Sequence, residues 1–188
     1  VVDIDTSIDF RVAECLLSKQ GDGKPETMAT GYSGEKLEEV LLCLPRRIGA
    51  LILDFDGVMT DNRVLVFEDG TEAVVCNRSD GWGLQHMHQL CIPMLVLSTE
   101  KNPVVKARSD KLDIECIHGV EDKKSAMLDW LQRSNIDVSS VVYVGNDVND
   151  ADCLRIAGCG VAVADAHPLV KQIAQVVLSS RGGHGAVR

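Results

Sequence analysis

No stretch of this 188-residue sequence approaches the roughly 20 consecutive apolar residues of a membrane-spanning helix. Its N-terminal residues also lack the basic-then-apolar layout of a secretory signal. Positive charge is scarce: 19 Lys and Arg stand against 28 Asp and Glu, a formal net charge of -9. A field of that sign repels phosphate backbones and argues against nucleic acid as the main partner. A small anionic substrate would then need a local basic cluster or a bound cation. Paired cysteines are missing too. Cys15, Cys43, Cys76, Cys91, Cys116, Cys153 and Cys159 stand singly with no Cys-x-x-Cys, so neither a disulfide framework nor a zinc site is expected. Buried thiols in a reducing cytoplasm are the expectation. There is no internal repeat and no low-complexity tract.

What is present changes character along the chain. Residues 1–17 open with the strand-like VVDID and continue with apolar positions at near-helical spacing. Residues 18–35, SKQGDGKPETMATGYSGE, hold four glycines and almost no apolar side chains, which is linker composition. From residue 36 to 188 short apolar runs alternate with helical patterns. After a helix KLEEVLLCL come the predicted strands ALILDF, PMLVLS, 114–117, SVVYVG, GVAVA and VVLSS. The helical patterns between them cover 83–90, 103–111, 123–132, 148–157 and 168–175. VLVFEDGTEAVV reads as a hairpin turning on Glu-Asp-Gly. Strands alternating with helices of about ten residues predict a three-layer α/β fold, Rossmann-like, with a parallel sheet covered on both faces. The hairpin is a small flap, and no insertion is long enough for a large cap domain.

Ligands collect at the carboxyl ends of the strands in such a sheet. After the first core strand stand Asp54 and Asp56, followed by Gly57, which lets the backbone turn closely. After MLVL stand Ser98, Thr99 and Glu100; after YVG stand Asn146, Asp147 and, a turn later, Asp150; Lys123 opens a helix. Crowded carboxylates repel unless a cation separates them, and Mg2+ with oxygen ligands is the simplest solution. One carboxylate is then free to attack an electrophile and the other to move a proton, while Ser98 and Lys123 suit a phosphoryl group. A set of unrelated helix caps would explain each cluster but not their convergence on one sheet edge.

DFDGVMTDN, VLSTE, the Lys123 region and GNDVND resemble the four motifs of the haloacid dehalogenase superfamily of phosphatases. The resemblance covers residues 36–188 and is closest to the branch that hydrolyses phosphorylated ulosonic acids, with RSDGWGL, VAVADAHP and RGGHGAVR similar to further marks of it. It implies Asp54 as the nucleophile that becomes an aspartyl-phosphate and Asp56 as the acid and then base. Ser98 and Lys123 would hold phosphoryl oxygens, and Mg2+ would be held by Asp54, the Asp56 carbonyl and the Asn146/Asp147 loop. The chain departs from the common Gly-Asp-Asp by carrying a neutral amide at Asn146. Weaker metal binding is expected, with Asn146 and Asp147 both open as the ligand, and tighter binding in Asn146→Asp.

Members of this branch form tetramers in which a neighbour completes the site, which implies a homotetramer here. RGGHGAVR resembles the segment that reaches into the neighbouring site; by composition alone it is a frayed end. Glu100, Arg108 and Lys111 are the specificity candidates, the last two sharing a helix face, and Arg suits a carboxylate. Octulosonate phosphatases commonly carry Arg where this chain has Glu100, so a nine-carbon substrate, 2-keto-3-deoxynononic acid (KDN) or sialic acid 9-phosphate, is favoured over octulosonate 8-phosphate. Met87, Met94, Met127, Trp82 and Trp130 read as packing residues, with Trp82 able to border the site. His86, His88 and His118 lack metal-ligand spacing. Residues 1–17 resemble the end of an acylneuraminate cytidylyltransferase catalytic domain, so the whole is expected to be the C-terminal part of a bifunctional protein. The competing expectation is a low-activity oligomerisation domain of such a transferase.

Overall fold

The computed structural model describes residues 2–4 and 40–188. The predicted helix of the first 17 residues, the linker and residues 36–39 of the first helical pattern lie outside the described residues; residues 40–43 are helical. Six parallel strands form the sheet of the main unit: β2 (Ala50–Leu53), β5 (Met94–Leu97), β6 (Glu115–Ile117), β7 (Val141–Gly145), β8 (Cys159–Ala162) and β9 (Val176–Leu178). A seventh, β1 (Val2–Ile4), runs parallel to β9 at the edge, giving the order β1-β9-β8-β7-β2-β5-β6. Strands β5, β7 and β8 are buried at every position, so their sequences are unbroken apolar or small-residue runs.

Beyond the helical residues 40–43, five helices among the described residues cover the sheet: α1 (Asp80–Gln89), α2 (Val104–Lys111), α3 (Lys123–Arg133), α4 (Ala151–Ile156) and α5 (Pro168–Ile173). β3 (Thr60–Val66) and β4 (Glu72–Cys76) form a separate antiparallel hairpin, the predicted flap. The chain leaves the central strand β2 for β5 and β6, then crosses back to build β7, β8 and β9 on the other side. This reversal opens a crevice at the carboxyl end of β2, where an α/β sheet places its ligand.

Three predicted helix boundaries shift. The expected 148–157 helix is a 3-10 turn, Val148–Asp150, followed by α4, because Asp150 folds back to accept the Asn146 and Asp147 N–H groups at 2.9 and 3.2 Å. α1 starts at Asp80, not at 83. Its Gly83 is needed for close approach rather than for ending a helix: a Cβ there would lie 2.7 Å from the Val187 carbonyl. α5 stops at Ile173 because Gln175 pairs with Gly160 through both its N–H and its side-chain oxygen.

The core is one cluster in which Tyr143, Phe55, Ile52, Leu53 and Met127 are fully buried. Met94 and Trp130 pack into it and Met87 packs against it, as expected, but Trp82 is 64% exposed and is not a packing residue. Among the described cysteines only Cys153 and Cys159 are buried; burial pushes each thiol up to about 12, while Cys91 is exposed. All six described cysteines are free. Among the described residues no helix is long and apolar enough to cross a membrane.

Candidate active site

The end of β2 delivers Asp54 into a nearly closed environment, with 4% of its surface exposed. Its Oδ1 accepts from the Phe55 N–H at 2.7 Å and from Lys123 Nζ at 2.6 Å. Lys123 stands at the first position of α3, which is started by Asp122: the Asp122 carboxylate accepts from the Ser125 N–H at 3.0 Å and the Ser125 hydroxyl at 2.7 Å. The same ammonium donates to Asp150 Oδ1 at 2.7 Å. That oxygen also accepts from the Tyr143 hydroxyl at 2.7 Å, and the other Asp150 oxygen takes the two N–H groups already named. Gly145 makes this possible, since a Cβ there would come within 2.7 Å of the Asp150 carboxylate.

One buried ammonium thus serves two buried carboxylates. Burial and then the Asp150 charge push the Asp54 pKa up, with Lys123 opposing. Burial would lower Lys123, but Asp54 and Asp150 together raise it. Burial also raises Asp56, Glu100 adds to this, and the Thr60 hydroxyl opposes it. Asp56 is half-buried. Thr60 Oγ1 donates to it at 3.4 Å and accepts from the Gly57 N–H at 3.2 Å, which fixes the loop. Gly57 has φ +79°, and a Cβ there would fall 1.8 Å from Asn146 Nδ2. The glycine of Asp-x-Asp-Gly therefore clears room for the Asn146 side chain.

The surplus of negative charge invites a cation, and the donors fit one. Asn146 Oδ1 is buried without a hydrogen-bond partner, an expensive state for an amide oxygen unless something binds it. Asp147, by contrast, is exposed, and its Oδ1 accepts from the Val148 N–H at 2.7 Å as the cap of the 3-10 turn. Among the described residues no three His, Cys, Asp or Glu side chains form a cage by themselves. A cation here would draw on Asp54, the Asn146 amide oxygen and a main-chain carbonyl such as that of Asp56.

These groups open into a cavity of about 350 Å³ lined from the ends of β2, β5 and β7 and from the hairpin. Ser98 is buried beneath it, its Oγ accepting from the Glu100 N–H at 3.1 Å. Asp56, Ser98, Thr99, Glu100, Asn146 and Asp147 all line it. Arg108 and Lys111 do not. Arg108 is drawn to the loop before α1, donating to the Asn77 carbonyl at 3.0 Å, and Lys111 is exposed on α2. The tail 181–188 is not a frayed end. Gly183 N–H donates to the Val58 carbonyl at 3.0 Å, and a Cβ on Gly182 would lie 1.9 Å from the Gly57 oxygen, so the tail braces the Asp54–Asp61 loop of its own chain. Sequence reasoning missed the part played by Tyr143, since the hydroxyl of a strand tyrosine carries no local signal. It also missed Arg63 and Asn62, which enter the cavity from the hairpin.

The family profile described as haloacid dehalogenase-like hydrolase matches residues 97–188. The chain is 36% identical over 163 residues to the 3-deoxy-D-manno-octulosonate 8-phosphate phosphatase of Escherichia coli K12, covering 86% of each. Among solved structures, it is similar to a protein from Streptomyces avermitilis assigned to the HAD hydrolase family, with 46% identity and TM-score 0.74 over 77% of this chain and 84% of that one. It is also similar to the Moraxella catarrhalis 3-deoxy-D-manno-octulosonate 8-phosphate phosphatase, solved with magnesium ion, phosphate ion and a KDO molecule. There the identity is 28% and the TM-score 0.72, over 74% and 81% of the two chains. A match of 29% identity to the N-acylneuraminate cytidylyltransferase of Oncorhynchus mykiss runs over this whole chain but only 40% of that protein. The sheet order, the acid pair after the central strand and this kinship agree: the chain belongs to the haloacid dehalogenase-like hydrolases, as a phosphoric monoester hydrolase related to the 3-deoxy-D-manno-octulosonate 8-phosphate phosphatases.

Proposed function

We propose that the protein is a Mg2+-dependent phosphatase of a phosphorylated ulosonic acid, KDN or sialic acid 9-phosphate being favoured, acting through an aspartyl-phosphate. The observation that carries the reading is the buried Asp54–Lys123 contact of 2.6 Å at the carboxyl end of the central strand, beside half-buried Asp56. Asp54 attacks phosphorus while the bond to the sugar oxygen breaks. Asp56, whose raised pKa suits a proton donor, gives its proton to that oxygen. Water then attacks the aspartyl-phosphate, Asp56 takes its proton, and phosphate leaves. Ser98 and Lys123 orient the phosphoryl oxygens, and burial keeps bulk water from competing. Asp54, Asn146 and the Asp56 carbonyl would hold Mg2+, with Asp147 the other candidate ligand from that loop, and the ion would supply charge neutralisation at the phosphoryl group. Its presence in the Moraxella relative supports this assignment.

Glu100 in the cavity lining supports the nine-carbon substrate, and Thr99 joins it at the rim. The Escherichia coli relative favours octulosonate 8-phosphate as the second reading. The fish transferase match supports residues 1–17 as the end of a transferase-like domain, 18–35 as a linker and 36–188 as the phosphatase. The low-activity scaffold alternative is disfavoured because Asp54, Asp56, Ser98 and Lys123 are all present. Exposed Val64, Leu65, Val66, Phe67 and Val75 on the hairpin support self-association, with a homotetramer as the proposed state. Free thiols fit a cytoplasmic setting.

Phosphate release from KDN 9-phosphate, sialic acid 9-phosphate and octulosonate 8-phosphate, with Mg2+ or with EDTA, tests the reading. Release that needs Mg2+ and disappears in Asp54→Asn is expected. Release unaffected by that substitution would overturn it, and faster release from octulosonate 8-phosphate would select the second substrate.

A further inference from the structure

Acids dominate the cavity. Asp54, Asp56, Glu72, Glu100 and Asp147 line it, and Arg63 is the one Lys or Arg among the described lining residues. Lys123 lies below the lining, 2% exposed and engaged by two carboxylates. A substrate with a second anionic group beyond its phosphate would meet a field of the wrong sign everywhere in the outer cavity except at Arg63.

The hairpin is built to present that side chain. Its register pairs Thr60 with Cys76 and then Val64 with Val74, leaving Asp61, Asn62 and Arg63 opposite Val75 alone. Asn62 has φ +62°, in the left-handed region where few residues other than glycine sit. An irregularity of this kind beside a site re-aims a side chain that a regular strand would direct elsewhere. Asp61 Oδ2 then accepts from Arg63 Nε at 2.7 Å and also from Nη2, and the Asp61 N–H side of the loop is braced by Gly183. One edge of the guanidinium is held, while among the described residues Nη1 makes no hydrogen bond within the chain. The Arg63 side chain stays 84% exposed.

We infer that Arg63 is a specificity-determining residue that binds the carboxylate of the substrate at the outer end of the cavity, while Ser98 and Lys123 hold the phosphate against Asp54 at its floor. This rests on the phosphatase reading above and adds to it the group that selects an acid sugar over a neutral one. A planar guanidinium with one edge fixed and the other open suits a carboxylate better than a flexible ammonium does.

The test compares wild type, Arg63→Ala and Arg63→Lys on KDN 9-phosphate and on 4-nitrophenyl phosphate, which lacks a carboxylate. The selectivity, kcat/KM on the first ester over kcat/KM on the second, is expected to fall about ten- to hundredfold in Arg63→Ala, mainly through KM. Arg63→Lys should recover part of it. Equal losses on both esters would mean a phosphate contact and would overturn the inference, as would selectivity unchanged within about twofold. If wild type cleaves neither ester, the phosphatase reading fails and this inference with it; an active wild type with unchanged selectivity sinks this inference alone.

Discussion

A carboxylate with none of its surface exposed is costly unless every lone pair is answered, and Asp150 is answered four times: by Lys123, Tyr143 and two backbone N–H groups. Removing it leaves a buried ammonium with one carboxylate partner and takes from the buried Tyr143 hydroxyl its carboxylate acceptor. Asp150→Ala should therefore cost about 3–5 kcal/mol in urea unfolding. A loss below about 1 kcal/mol would mean that water replaces the carboxylate freely. Asp80 is another fully buried acid, and it makes the opposite case. Its oxygens face the Val187 and Arg188 N–H groups without reaching full hydrogen-bond geometry, and burial pushes its pKa up to about 6, with the Arg108 charge and then those N–H groups opposing. Between roughly pH 4 and 6 the folded chain keeps a proton that the unfolded chain has lost, so this residue's contribution to stability falls as pH rises and then levels off. Asp80→Asn should gain on wild type by about 2–3 kcal/mol when urea midpoints at pH 4 and pH 7 are compared. A difference that does not change with pH would show that Asp80 titrates normally.

Two elements carry most of the positioning. α3 begins where Asp122 caps it, and Lys123 is its first residue, so the cap sets where the ammonium points. Asp122→Ala is expected to cost about 1 kcal/mol of stability. It should also reduce phosphate release, because the first turn loosens under Lys123; melting temperature and steady-state rate read the two effects separately. The hairpin is the other element. Its turn was legible from Glu-Asp-Gly, and the turn at residues 68–70 falls there. Its irregular pairing was not, because DNRV looks like any strand start and only the tertiary approach of Gly183 to Asp61 shows what holds it. The 3-10 turn after β7 was hidden for a similar reason. GNDVND continues smoothly into a helical pattern, and it is the side chain of Asp150, turned back on the Asn146 and Asp147 N–H groups, that tightens it.

At the scale of the molecule, apolar surface on the hairpin sets the expected state of association. Phe67 and Val66 are 55% and 66% exposed, so charge placed there costs the folded chain little. If the proposed homotetramer forms through this surface, the double substitution Val66→Lys with Phe67→Lys should shift it to smaller species in analytical ultracentrifugation, with the melting temperature of the dissociated chain largely retained. An unchanged assembly would move the interface elsewhere, and a wild type that sediments as a monomer would overturn the tetramer.

The sequence by itself determined the alternation of strands and helices, and hence a parallel sheet, because unbroken apolar runs of four or five residues can be satisfied only between layers. It also determined that Asp54, Ser98, Lys123 and Asn146 end up together, because loops after parallel strands must emerge on one edge. Tertiary structure alone decided the rest. Asn146 rather than Asp147 turns inward because Gly57 leaves space for it, and Arg108 is drawn to the Asn77 carbonyl instead of the cavity. Trp82 stays in solvent, and the glycine tail folds onto its own chain. Each of these depends on which distant backbone comes within van der Waals reach, and spacing along the chain carries no record of that.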